Sequence, residues 1–491
     1  MKTCVRLFLL ATMLSLLFTS LSCNRELSPA TPNQTPHTRL ANIPRDGDTV
    51  FALVTLHWDG YDFDGFIAGY QYKYVTIHVG PGDSVVHDWQ GTIETGLTIP
   101  FVSDSALNKQ IFSVRAIDNN GSPSDTPATR IFFTRRAVPP VTRIVTPSRN
   151  APSREYFVIS QITDWWQGIR MVIGADDPDG ATVVGYAWAI DSGPWHWMTD
   201  TVVHIPPSEF SSLTGTHLLR AISRDNTNLI DPVGDTMSIQ LVNPTFTKRV
   251  LIIDETDETT FPAGMRYTDA QIDSFYSAIF GTTDSWDYFA NAKKIPPRST
   301  LGQYRLIVWH ADNRPITAET AHFLRNHADV LQDYLDVGGK LFMSGWRILK
   351  SFRWNDPFPV GFEPGTFVFD YLHIVSADET ILNGDFTFAQ GYGGLSDVAV
   401  DSVKLANVFP YSGKLAQINF MGEQNIGGFA KKAFLYQNAG NSTYFRYRGQ
   451  TCGIIYYGTS FDVVVLGFPM FFMNGNDSQR MVNEILLRLG M

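Results

Sequence analysis

Apolar positions along the chain fall into three regimes. From Leu7 to Phe18 they are almost unbroken, interrupted only by Thr12 and Ser15. From about Leu40 to Val242 they alternate with polar positions in short stretches punctuated by Gly, Pro, Asn and Asp. That period of two predicts half-buried antiparallel strands, and the turn spacing predicts sandwiches. At Lys248 the pattern changes to short continuous apolar runs separated by stretches of helical period. Arg249-Val250-Leu251-Ile252-Ile253-Asp254, Tyr304-Arg305-Leu306-Ile307-Val308-Trp309-His310 and Lys340-Leu341-Phe342-Met343-Ser344-Gly345 read as strands buried on both faces. Between them, Ile272, Phe275, Tyr276 and Ile279 mark one face of a helix from Thr268 to Phe280. Thr317 is expected to cap a long helix carrying Phe323, Leu324, Val330, Leu331, Tyr334 and Leu335, stopped by Gly338-Gly339. Thr451 to Tyr457 and Asp462 to Pro469 read as closing strands, and Asp477 to Leu489 as a final amphipathic helix. Strands alternating with helices predict an α/β sheet with right-handed crossovers.

Two segments of the β-rich region resemble each other. Leu56-His57-Trp58-Asp59-Gly60-Tyr61-Asp62-Phe63-Asp64-Gly65 leads to Gly69-Tyr70-Gln71-Tyr72, and Ile173-Gly174-Ala175-Asp176-Asp177-Pro178-Asp179-Gly180 leads to Gly185-Tyr186-Ala187-Trp188. Each is followed by tryptophan (Trp89; Trp195 and Trp197) and by a strand with an Arg-Ala pair, Arg115-Ala116 or Arg220-Ala221. This order resembles bacterial fibronectin type III and related immunoglobulin-like modules, which implies paired sheets around an aromatic core. The joint Arg135-Arg136-Ala137-Val138-Pro139-Pro140 is stiff and extended, favouring a rod-like succession of modules.

The first apolar run, with Lys2 and Arg6 before it, has the roughly 7–15 residue length of a signal peptide core and is short of the ~20 residues of a spanning helix. It ends in Thr19-Ser20-Leu21-Ser22-Cys23. This resembles the lipobox of bacterial lipoproteins, whose cysteine is acylated and becomes the first residue of the mature chain. The family places Leu three residues before the cysteine; here Ser20 occupies that place and Leu21 follows. The plainer alternative is ordinary cleavage near Ser22. Asn24 stands where an aspartate would resemble an inner-membrane retention signal, so the resemblance implies outer-membrane sorting. The polar stretch after Cys23 carries Pro29, Pro32 and Pro36 and reads as a flexible tether.

Composition narrows the partners. With 491 residues the chain has room for two to four domains. The net charge of −10, without a Lys/Arg cluster, disfavours nucleic acid. Of three cysteines, Cys4 and Cys23 belong to the leader, leaving Cys452 alone in the folded part, with no disulfide to form and no cysteine-based zinc site.

From 248 to 491, the strand–helix–Gly-Gly–strand succession centred on Tyr334-Leu335-Asp336-Val337-Gly338-Gly339-Lys340-Leu341-Phe342-Met343-Ser344-Gly345 resembles the class I glutamine amidotransferase-like fold, with an insertion-rich middle from about Phe352 to Gly440. Active members carry a nucleophilic cysteine on an elbow after the Gly-Gly and a late His-x-Glu. Here the elbow position reads Met343-Ser344-Gly345-Trp346-Arg347, and Gly467-Phe468-Pro469-Met470-Phe471-Phe472 contains no His-x-Glu. Both halves of that chemistry are missing, and Cys452, inside an apolar strand, reads as a small hydrophobe. Asp254, His310 and Ser344 end three strands, where α/β sheets bind ligands, and have the residue types of a hydrolase triad. Asp254, Glu255, His310 and Asp312 are equally of metal-ligating type. Against a hydrolase, Ser344 lacks the Gly-x-Ser-x-Gly elbow.

The acidic turns Asp59, Asp62, Asp64 and Asp176, Asp177, Asp179 offer hard oxygen ligands for calcium, although Asp and Gly are also simply good turn formers. Trp195 and Trp197 are candidates for a sugar-stacking face, although such tryptophans more often pack inward. The expected organisation is thus a multidomain chain: a lipoprotein signal over 1–23, a tether over 24–39, immunoglobulin-like sandwiches over 40–137 and 138–247, and a degenerate amidotransferase-like, flavodoxin-like three-layer α/β domain over 248–491. The expected role is non-catalytic binding or scaffolding at the bacterial envelope, on the outer membrane or cell surface, with the membrane and an envelope protein or glycan as partners. No cofactor is expected beyond calcium at the acidic turns. The alternatives are a surface hydrolase using Asp254, His310 and Ser344, and a carbohydrate-binding lipoprotein.

Overall fold

The computed structural model describes residues 32–41, 44–78, 82–101, 107–149, 154–256, 267–312, 323–380, 385–407, 415–424 and 430–491. The signal segment, Cys23 and Thr317 lie outside these residues. Two compact units divide the chain: one up to Pro139, to which the turns Asp177–Thr182 and Asp225–Leu229 are counted, and one comprising the rest.

The first unit is a β-sandwich. Its three-stranded sheet runs His37–Leu40, Leu53–Tyr61, Gly96–Pro100 in spatial order, and its five-stranded sheet runs Thr49–Phe51, Ala128–Arg135, Asn108–Asp118, Ile67–His78, Ser84–Thr92. The period of two is realised along Leu53–Tyr61, where Val54, Leu56 and Trp58 are buried and Thr55, His57 and Asp59 are exposed. Trp58 shares one apolar core with Tyr70, Phe112, Val114, Ala116 and Phe132 of the facing sheet, with its ring 5.7 Å from that of Phe112. Order begins earlier than the polar, proline-bearing composition predicts. His37–Leu40 pairs with Leu53–Tyr61, and Thr38 Oγ1 accepts the Ala116 N–H at 2.7 Å. Main-chain pairing holds this strand, so an apolar signature is not required.

The second β-module repeats this topology strand for strand. Its small sheet is Val141–Thr146, Ile169–Asp176, Val202–Ile205, and its large one is Glu155–Phe157, Asp235–Val242, Gly215–Asp225, Val183–Ile190, His196–Met198. In both modules the short first strand of the large sheet runs parallel to its neighbour. The pattern repeat read in the sequence is therefore a repeat of strand order.

This module does not close its core alone. Ile173, Leu219 and Ile239 belong to one apolar cluster with Leu331, Tyr334, Leu341 and Val463 of the C-terminal part. Glu155 accepts Ser299 N–H and Oγ–H at 3.0 and 2.7 Å across the same junction.

The C-terminal part is built on a nine-stranded mixed sheet: β1 (Lys248–Asp254), β2 (Ser285–Asp287), β3 (Tyr304–Ala311), β4 (Lys340–Gly345), β5 (Phe386–Gly391), β6 (Val398–Ala399), β7 (Ala430–Asn438), β8 (Thr451–Tyr457) and β9 (Asp462–Leu466). The spatial order is β2-β1-β3-β4-β9-β8-β7-β5-β6. The first five of that order are parallel and the remaining pairings are antiparallel. Helices cover both faces. α1 (Asp269–Phe280) and α3 (Gly475–Arg488) pack on Val250, Ile252, Leu306, Val308 and Phe342; α2 (Ala328–Asp336) packs on the side of Leu251, Ile253, Ile307 and Trp309. The stretch read as insertions contributes β5, β6 and β7 to the sheet, and a further three-stranded sheet of Val360–Gly361, Ile374–Glu379 and Asn419–Glu423. Strands such as Ala430-Lys431-Lys432-Ala433-Phe434, in which two exposed lysines interrupt the apolar positions, lack the continuous run that makes β1 conspicuous.

Helix boundaries follow local chemistry. Thr268 caps α1 in a reciprocal box with Gln271, and Gly281 closes it in the left-handed region at φ 63°. α2 is shorter than the periodicity predicts, because Leu324–His327 forms a 3-10 turn ahead of it.

Candidate functional site

Parallel pairing sets Asp254 beside His310 and His310 beside Ser344 on adjacent strands. All three are buried, His310 and Ser344 completely. His310 Nε2 lies 3.3 Å from Asp254 Oδ1, yet neither ring nitrogen of His310 has a hydrogen-bond partner. Asp254 Oδ1 instead accepts the Thr256 N–H at 2.9 Å and its hydroxyl at 2.5 Å.

Ser344 belongs to a different network. Its Oγ donates to the Phe468 carbonyl at 3.2 Å, accepts the Met470 N–H at 3.0 Å and the Tyr276 hydroxyl at 3.3 Å, and lies 3.4 Å from Asp312 Oδ1. Asp312 Oδ2 accepts the Phe471 N–H at 2.8 Å and the Tyr276 hydroxyl. The Tyr276 ring lies flat on His310, with centroids 3.7 Å apart and planes 8° from parallel. The three residues of the expected triad are therefore brought together, but no serine–histidine hydrogen bond joins them. The main-chain donors nearest the serine, Met470 and Phe471, are already taken up by Ser344 and Asp312, leaving neither to stabilise a developing oxyanion.

Desolvation dominates the electrostatics. Burial raises the carboxyls of Asp254 and Asp312 to about 7 and lowers His310 to about 3, so the imidazole is neutral at physiological pH. Burial and the Asp312 carboxylate push the Tyr276 phenol upward.

Strand alternation divides the four residues grouped by type as metal ligands. Asp254 and Glu255 point to opposite faces: Glu255 accepts the Trp309 indole N–H at 2.6 Å. Asp312 is held by Tyr276 and the main chain as described. The residue that joins Asp254 and His310 is Asp273, from α1. Among the described residues these three form the group of His and carboxylate side chains whose ligand atoms all lie within 4.8 Å of one another. Sequence reasoning missed Asp273, although Asp269 and Asp273 at i, i+4 on a helix following a strand-end carboxylate are a usable signal.

The other predicted residues lie elsewhere. Cys452 is completely buried in β8, and burial pushes its thiol upward. The carboxylates of the acidic turns are not gathered into one such group. Asp59 pairs with Arg39 at 2.7 Å, Asp176 pairs with Arg143, and Asp64 accepts the Gln34 N–H at 3.0 Å. Asp177 accepts the N–H groups of Asp179 and Ala181 at 3.1 and 3.3 Å, in the manner of a turn-forming Asx side chain. Asp62 is half-buried, and Asp64 beside it raises its carboxyl further, after desolvation. Trp195 and Trp197 each carry an arginine guanidinium over the ring, Arg220 at 4.5 Å and Arg224 at 5.1 Å, while Trp197 stays exposed.

Among the described residues no helix is long and apolar enough to cross a membrane. No family model matches the chain, and no curated protein matches it. Solved structures are similar to parts of it. The fibronectin(III)-like modules of Clostridium thermocellum CbhA are 12% identical at a TM-score of 0.24, covering 42% of this chain and 95% of that one. The FN1–FN3 domains of chicken CNTN1 are 10% identical at 0.24, covering 43% and 65%. A structure from a 1.5-MDa bacterial ice-binding adhesin is 10% identical at 0.20, covering 45% and 73%. At these scores the sandwich assignment rests on the strand pairing itself.

Proposed function

We propose that this chain is a non-catalytic binding or scaffolding protein of the bacterial envelope, held at the outer membrane or cell surface by a lipid on Cys23. In this reading the β-modules are spacers. The C-terminal α/β layer, a degenerate amidotransferase-like domain, is the unit that meets an envelope protein or glycan. The observation that carries the non-catalytic part is the closed strand-end crevice. Ser344 is completely buried, bonded to Phe468, Met470 and Tyr276, and has no hydrogen bond to His310. A serine nucleophile of the expected triad needs the histidine on its hydroxyl and an approach for substrate; Ser344 instead donates to the Phe468 carbonyl beside Asp312 and is fully enclosed.

Two measurements on the native, membrane-extracted protein test the reading. Exposure of the folded chain to a fluorophosphonate and to iodoacetamide should leave Ser344 and Cys452 unlabelled; labelling at Ser344 that disappears in Ser344→Ala overturns it. Mass spectrometry of the mature N-terminus should find a lipid-modified Cys23, and an unmodified peptide beginning at or beyond Cys23 removes the anchor.

A further inference from the structure

The group beneath α1 is only partly satisfied from within: Asp254 Oδ1 is bonded by Thr256, but other polar atoms beside it are not. His310 is completely buried with both ring nitrogens unbonded, and Asp254 Oδ2 is likewise buried without a hydrogen-bond partner. An imidazole always carries at least one donor or acceptor that burial penalises when left unmade. Asp273, on the second turn of α1, brings a second carboxylate within 4.8 Å of both, and Asp269, one turn earlier, interacts with Asp254. Asp254 is fully buried and Asp273 half-buried, and carboxylates crowded at a partly desolvated site are costly unless a cation or a shared proton joins them.

We propose that Asp254, Asp273 and His310 form a binding site for one divalent transition-metal ion, zinc by ligand type, which clamps α1 to the ends of β1 and β3. The geometry suits it. His310 Nε2 and Asp254 Oδ1, the oxygen that also accepts from Thr256, are 3.3 Å apart, close to the edge of a tetrahedron with ligand distances of about 2.0–2.1 Å. One imidazole with two carboxylates is a set for zinc or its first-row neighbours; calcium takes 6–8 oxygens. A divalent ion matches the charge of its two carboxylate ligands, which offsets the repulsion between Asp254 and Asp273, with Asp269 one turn away. Tyr276, stacked on the imidazole, fixes the plane of the ring. The ion here is a structural pin on the α1 face of the sheet, and it does not depend on lipidation or on the identity of any partner.

The test uses the full chain, stripped with chelator and titrated with zinc chloride by calorimetry, with metal content read by mass spectrometry and stability by thermal melting. The wild type should take up one equivalent more than Asp273→Asn or His310→Gln, and saturating zinc should raise the melting temperature of the wild type alone by roughly 3–5 °C. Equal zinc uptake by wild type and Asp273→Asn, or a melting temperature unmoved by zinc, overturns the site. Should the variants fail to fold, cobalt(II) added to the stripped wild type decides. Intense visible bands of a four-coordinate ion support the site, and the pale spectrum of the hydrated ion rejects it.

Discussion

Asp336, the last residue of α2, shows what burial does to a single carboxylate here. Its Oδ1 accepts the Tyr371 hydroxyl at 2.8 Å, but desolvation, with Asp333 nearby, raises its carboxyl to about 7. The native state therefore holds a proton that the unfolded chain releases near pH 4. The cost of ionising Asp336 is absent below that pH, grows as pH rises, and is complete above about 7. Asp336→Asn keeps an acceptor for Tyr371 and removes the charge. It should leave stability unchanged near pH 4 and increase it by about 1–2 kcal/mol at pH 8, allowing for partial solvent exposure; urea melts at the two pH values measure this. Residue chemistry was only partly legible beforehand. The strand-end positions of Asp254, His310 and Ser344 follow from the apolar runs preceding them. That Ser344 bonds to Asp312 and Tyr276 while His310 faces Asp273 depends on how α1 lies on the sheet.

At the scale of elements, the Gly-Gly stop after α2 is the best-read feature. Gly338 adopts φ 103°, which a side chain resists. Gly339 matters for a different reason: a Cβ there would sit 2.3 Å from the Tyr334 ring, a ring that is completely buried and whose hydroxyl donates to the Tyr304 carbonyl at 2.8 Å. Gly339→Ala should cost about 2–3 kcal/mol through overpacking, whereas Gly440→Ala, with nothing within 4 Å of the added carbon, should be near neutral; denaturant midpoints of the two variants compare them. Buried parallel strands were readable because both their faces are apolar. β5, β6 and β7 were not, because each is short or has its apolar positions interrupted by polar ones, and their place in the sheet is fixed by pairing with β8 and with one another.

At the scale of the molecule, the shared core of the second β-module and the α/β part has a thermodynamic consequence. Phe157 of the module is buried with its ring 6.5 Å from that of Tyr334 on α2, and the Gly302 Cα approaches so closely that an added Cβ would meet Phe157 at 2.9 Å. Parts that share a core melt together. Scanning calorimetry should therefore resolve two transitions, one for the sandwich up to Pro139 and one for everything from Pro140 onward outside the two turns counted with it, rather than three. Phe157→Ala should lower only the second, by about 3–5 kcal/mol; a separate third transition, insensitive to Phe157→Ala, would contradict the shared core.

What the sequence determined by itself is what depends on neighbours along the chain. Strand period and turn residues made the sandwiches, their duplication was visible as a repeated order of Asp-Gly, Gly-Tyr and Arg-Ala, and the Gly338-Gly339 stop marked a helix end. Only tertiary structure decided what depends on groups distant in sequence meeting without water between them. It joined the second module to the sheet through Phe157 and Tyr334. It closed the crevice over Ser344 with Met470 and Phe471, more than 120 residues further along the chain. It also set Asp273 of α1 against Asp254 and His310. Local propensity acts over a few residues, whereas desolvation acts on whatever the fold encloses.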